Sequence, residues 1–92
     1  MSLINEAAYL YVYSKKIITV NTKIHSMRED GRKELQKFHQ ATDSDKKQKH
    51  QHQSEKVSKK LQELLEERQK ILTKLRRHQV AFAGQLQKEA ST

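Results

Sequence analysis

Apolar residues along this chain fall into two stripes that step by three and four positions. The first runs Leu3, Leu10, Tyr13, Ile17, Val20, Ile24, Met27, and the second runs Val57, Leu61, Leu64, Ile71, Leu75, Phe82. That spacing places side chains on one face of an α-helix. Between the stripes lies Thr42 to Lys56, TDSDKKQKHQHQSEK, which offers nothing to bury. The pattern predicts two helices, one over about 3–40 and one ending near 88. A polar turn at about 41–46 joins them, with a lead-in to 56 that is either frayed or helical. The expected fold is all-α: an antiparallel helical hairpin of coiled-coil type forming a single domain over residues 1–92.

Ser2 is suited to cap the first helix, and Thr42, Asp43, Ser44 and Asp45 form a cluster of cap and turn formers. In heptad terms, position a of the first helix falls at 3, 10, 17, 24 and position d at 6, 13, 20, 27. Glu6 is the polar member, expected near an end that solvent reaches. After Met27 the apolar residues move to Leu35 and Phe38, so Met27, Gly31, Leu35, Phe38 reads as a stutter in the repeat. Gly31 marks a weak point in a helix expected to be continuous. Tyr9–Tyr13 and Ile17–Thr22 would also suit strands. A hairpin turning at Ser14-Lys15-Lys16, however, lacks the Gly or Asn of tight turns, so the helix is preferred.

Apolar residues also lie beside each seam. Leu65, Leu72 and Leu86 occupy e positions of the second helix, and Ile4, Tyr11 and Ile18 occupy successive b positions of the first. Three apolar positions per heptad suit a bundle helix, whereas a two-stranded seam needs two. The expectation is a hairpin completed to a four-helix bundle, either by dimerisation or by another helical protein. The anticipated interface draws on Leu10, Tyr11, Tyr13, Ile17, Ile18 and Ile24 from the first helix. From the second it draws on Leu61, Leu64, Leu65, Ile71, Leu72, Leu75 and Phe82. Arg68 at a and His78 at d interrupt the second seam. Either they set register or orientation, as polar core residues in coiled coils do, or Arg68 extends its head to solvent and His78 lies at a loose end of the seam; the second, simpler reading is preferred.

Composition narrows the chemistry. The chain has 92 residues, no Pro and no Cys, so a disulfide framework, a thiolate zinc site and a cysteine nucleophile are all excluded. The net charge of +8 is spread along a mixed surface, with no separate basic tail. The longest apolar run, Ala7 to Tyr13, is far shorter than the roughly 18–20 residues that cross a bilayer. The expected location is therefore soluble and intracellular, in cytoplasm or nucleus.

No phosphate-cradling Gly loop or nucleophile elbow is present, which points to a non-enzymatic protein without cofactor. His39, His50 and His52 raise the question of a metal. Residues two apart on a helix point to different sides, and Lys46, Lys47 and Lys49 would repel a cation, so no metal is expected. Arg68, Lys70, Lys74 and Arg77 are candidate anion contacts, within a window from Arg68 to Arg77 that has no acidic residue. Lys70 to Phe82 is basic and amphipathic, but its apolar face is the one the bundle needs. The function expected is a scaffold or adaptor module acting through helix–helix packing. A basic helical nucleic-acid binder using the Arg68–Arg77 face is the alternative.

Overall fold

The computed structural model describes residues 2–91 and contains two helices, α1 (Leu3–Gln40) and α2 (Ser44–Ala90). The described residues are 94% helical and include no strand, so the fold is an all-α helical hairpin. The Asn5 backbone N–H donates to Ser2 Oγ at 3.1 Å, closing the start of α1. At the start of α2 the Asp45 N–H donates to Asp43 Oδ1 at 3.0 Å. The turn is thus confined to residues 41–43. The polar stretch 44–56 is helix rather than frayed lead-in, because Asp43 caps it and no Gly or Pro interrupts it.

Two compact units divide the hairpin. The terminal unit combines α1 up to Val20 with α2 from Glu67 onward, and the turn unit holds Asn21–Glu66. Each is an antiparallel pair of helix segments. The buried apolar residues are Val20 and Ile71 in the terminal unit and Ile24 and Leu64 in the turn unit. Their neighbours at a and d, among them Leu10, Tyr13, Ile17, Leu61, Leu75 and Phe82, are half-buried. A two-helix seam covers each side chain from one direction only, which is why so few are fully enclosed.

The seam departs from its predicted course at the end of α1. Leu35 is 50% exposed, while Gly31, Glu34, Phe38 and Ala41 are half-buried. The repeat therefore continues without a stutter, with a at Gly31 and Phe38 and d at Glu34 and Ala41. A count of apolar residues alone prefers Leu35 to its polar neighbour, but the helix keeps Glu34 on the seam because it has a partner there.

Gly31 lies within unbroken helix and has no positive φ. A Cβ built there would sit 3.4 Å from Val57 Cγ1, and one at Gly84 would meet nothing within 4 Å. Neither site needs glycine for its backbone, and only Gly31 approaches the facing helix. Gly31→Ala is expected to stabilise the fold by ~0.5–1 kcal/mol through helix propensity, measured as a higher urea midpoint with an unchanged slope. A lower midpoint would mean that Val57 cannot accommodate the methyl group.

Candidate helix-packing surface and its polar seam residues

Two carboxylates occupy d positions of α1, and each meets a histidine at a d position of α2. In the terminal unit Glu6 is fully buried, and the His78 ring nitrogen Nδ1 lies 2.8 Å from its Oε2. Glu6 Oε1 is buried without a hydrogen-bond partner. The His78 ring stacks on Tyr9 at 4.4 Å between centroids and on Tyr13 at 5.4 Å. In the turn unit His50 Nδ1 lies 2.9 Å from Glu34 Oε2, with both side chains 21% exposed.

These pairs correct two expectations. Glu6 is not at a wet end, and His78 is not at a loose one: the two side chains take each other out of solvent. Helix α1 places Tyr9 and Tyr13 one turn apart, so both rings reach the imidazole and wall the pair off. Apolar periodicity alone misses Glu34 and His50. A recoverable signal was present, because Glu6 and Glu34 are 28 residues apart and so are His50 and His78. That interval is four heptads, so both pairs use the same register of α1 on α2.

The hydrogen bond from His50 holds the Glu34 carboxyl below its ordinary range; burial works against this, and Lys37 acts in the same direction as His50. Glu29 is likewise held low by its hydrogen bond and ion pair with Arg32, at 2.8 Å on the helix surface.

The expected interface residues separate into two sets. Leu10, Tyr13, Ile17, Ile24, Leu61, Leu64, Ile71, Leu75 and Phe82 lie on the a/d seam and are buried or half-buried within the hairpin. Tyr11, Ile18 and Leu72 point outward, with Leu65 half-buried beside the seam. In an antiparallel pair the e and b positions of both helices flank one side of the seam, and g and c flank the other. In the terminal unit the e/b side carries Ile4 (81% exposed), Tyr11 (63%), Ile18 (65%), Leu72 (39%) and Leu86 (50%). A recess on the same side of α2 is lined by Gln69, Leu72, Thr73, Leu75, Arg76 and Gln79. Lys15 Nζ covers part of the Tyr11 ring at 5.0 Å.

The candidate anion contacts lie elsewhere. Lys70, Lys74 and Arg77 are exposed at c and g positions, away from the apolar side, together with Lys16. None of the three makes an ion pair among the described residues. Arg68 is half-buried at its a position. His39 and His52 are exposed, and no cluster of three metal-binding side chains occurs among the described residues. No described helix is long and apolar enough to cross a membrane. No family model, curated protein or solved structure matches the chain.

The depressed Glu34 titration has a definite consequence. A carboxyl held low in the folded state contributes stability that is complete above its unfolded titration and is lost as the pH falls through the folded one. Glu34→Gln should therefore flatten the loss of stability between about pH 5 and pH 3, seen as a smaller drop in urea midpoint than in the parent chain. The contribution of Glu29 would remain.

Proposed function

We propose that this chain is a non-enzymatic helix-packing module, of the scaffold or adaptor kind, whose apolar side closes a four-helix bundle. The observation that carries this reading is the exposed row Ile4, Tyr11, Ile18 beside Leu72 and Leu86 in the terminal unit. Large apolar side chains recurring every seven residues outside the seam form a second stripe rather than scattered surface residues. Covering them with another helix pair would give each helix the three apolar positions per heptad that bundles use.

A second copy of the chain is the simplest occupant. Closed two-fold assemblies are the commonest oligomers, and the cations on this side are Arg76 in the recess beside Leu72 and Lys15 over Tyr11. Lys16, Lys70, Lys74 and Arg77 lie on the opposite flank, so two apolar sides can meet without bringing those cations together. A different helical protein is the alternative occupant. The corresponding side of the turn unit is polar, carrying His25, Arg28 and Arg32 on α1, with Leu35 as its exposed apolar residue. The docking side thus belongs to the terminal unit.

The reading as a nucleic-acid binder draws on the unpaired Lys70, Lys74 and Arg77, whose spacing would let them straddle phosphates. No stacking platform accompanies them, and the reading ranks second.

Light scattering at micromolar concentration should give the mass of a dimer. Tyr11→Glu with Ile18→Glu should leave a helical monomer, since the seam is untouched. Lys70→Glu with Lys74→Glu should leave the dimer intact. A parent chain that is a well-folded monomer would remove self-association. Loss of assembly in the lysine variant alone, together with retention of DNA or RNA by the parent at ~50 mM salt, would replace the packing reading with the phosphate one.

A further inference from the structure

The two histidine–carboxylate pairs do not use the exposed apolar side, and the packing proposal leaves them without a role. We propose that they act as a register lock, selecting one alignment of α1 on α2 from alignments that the apolar seam would otherwise accept.

The apolar seam is permissive because its residues interchange. At the d positions a slip of one heptad sets Val20 opposite Val57 or Ile71 in place of Leu64, and Met27 opposite His50 or Leu64 in place of Val57. The turn gives little protection, because Thr42, Asp43, Ser44 and Asp45 can all begin a helix and the stretch after them has no apolar residue to misplace. The chain can therefore shift its reversal point by a few residues, exchanging the Asp43 cap for one from a neighbouring residue.

The carboxylates are not permissive. A slip of one heptad in one direction moves Glu6 from His78 to Ile71 and Glu34 from His50 to Asp43. A slip the other way moves Glu6 to Gln85 and Glu34 to Val57. The first strands one carboxylate on an apolar side chain and sets the other against an acid. The second leaves Glu34 on an apolar side chain and both histidines without their acids. Because the two pairs share the same four-heptad interval, a single alignment satisfies both.

The geometry favours selection over strength as their role. Glu6 is fully buried yet one of its oxygens has no partner, so the pair recovers only part of what burying a carboxylate costs. A leucine pair at those positions would hold the helices together at least as well. Polar residues in a seam are best attested as devices that fix register and orientation at some expense in stability. One pair lies in each compact unit, so each unit carries its own check on alignment.

The absence of native cysteine makes the test direct. Gly31→Cys with Val57→Cys reports the native register, because a Cβ at Gly31 comes within 3.4 Å of the Val57 side chain. Gly31→Cys with Leu64→Cys reports a slip of one heptad. Both cysteine pairs would be oxidised in the parent chain and in a variant carrying Glu6→Leu, His78→Leu, Glu34→Leu and His50→Leu. The parent should form the 31–57 bridge almost exclusively. In the leucine variant, still helical by circular dichroism, the ratio of 31–57 to 31–64 bridges should fall by about tenfold or more. Exchanging the partners (Glu6→His with His78→Glu, Glu34→His with His50→Glu) should restore it. An unchanged ratio in the helical leucine variant would overturn the proposal. So would loss of helicity in that variant, since the pairs would then support the fold itself rather than choose among its alignments.

Discussion

The structure depends on the a/d seam along which α1 and α2 cover each other within each compact unit. The apolar a and d residues lie there, from Leu3 to Phe38 on α1 and from Val57 to Phe82 on α2. The seam is narrow, and among the described residues only Val20, Ile24, Leu64 and Ile71 are buried apolar side chains. A packed interior surrounds a side chain on all sides, whereas a pair of helices covers it from one. The apolar residues beyond the seam follow from the same constraint, because two helices have no third neighbour to place against them.

Polar groups on this seam set alignment where apolar groups set adhesion. Glu6 and His78, and Glu34 and His50, each bring an acceptor and a donor to within 2.9 Å between facing helices. Tyr9 and Tyr13 complete one of these sites by stacking on the imidazole. Leucine and isoleucine distinguish poorly among neighbouring registers, while a buried carboxylate distinguishes sharply, since an alignment without a donor strands it. The division of labour explains how a chain with an even, repetitive pattern can specify one structure.

Most of the fold was legible in the sequence because its signal is periodic. Stripe spacing, a near absence of helix breakers and the Thr42–Asp45 cap cluster gave both helices and the hairpin between them. The structure departs from the periodic pattern at polar seam residues. Leu35 looked like the next seam residue because it is apolar, yet Glu34 holds the position through His50. Glu6 and His78 each looked weakly placed alone, and only the facing helix shows that they belong together. Pairing across a hairpin is non-local, so no window along one helix contains it. The outward row Ile4, Tyr11, Ile18 was visible from its spacing, but its separation from Lys70, Lys74 and Arg77 required the flanks of both helices to be placed.

On the packing proposal the hairpin is an incomplete unit whose apolar side is closed by another helix pair, with a second copy as the occupant. Equilibrium urea unfolding, followed by circular dichroism from about 1 to 100 μM chain, tests it most directly. For a dimer that unfolds to separate chains, mass action moves the midpoint to higher urea as concentration rises. That movement is expected, and so is its loss when Tyr11 and Ile18 are replaced by glutamate. A cooperative transition with a midpoint independent of concentration in the parent chain would contradict it, because the two helices would then be a complete fold on their own.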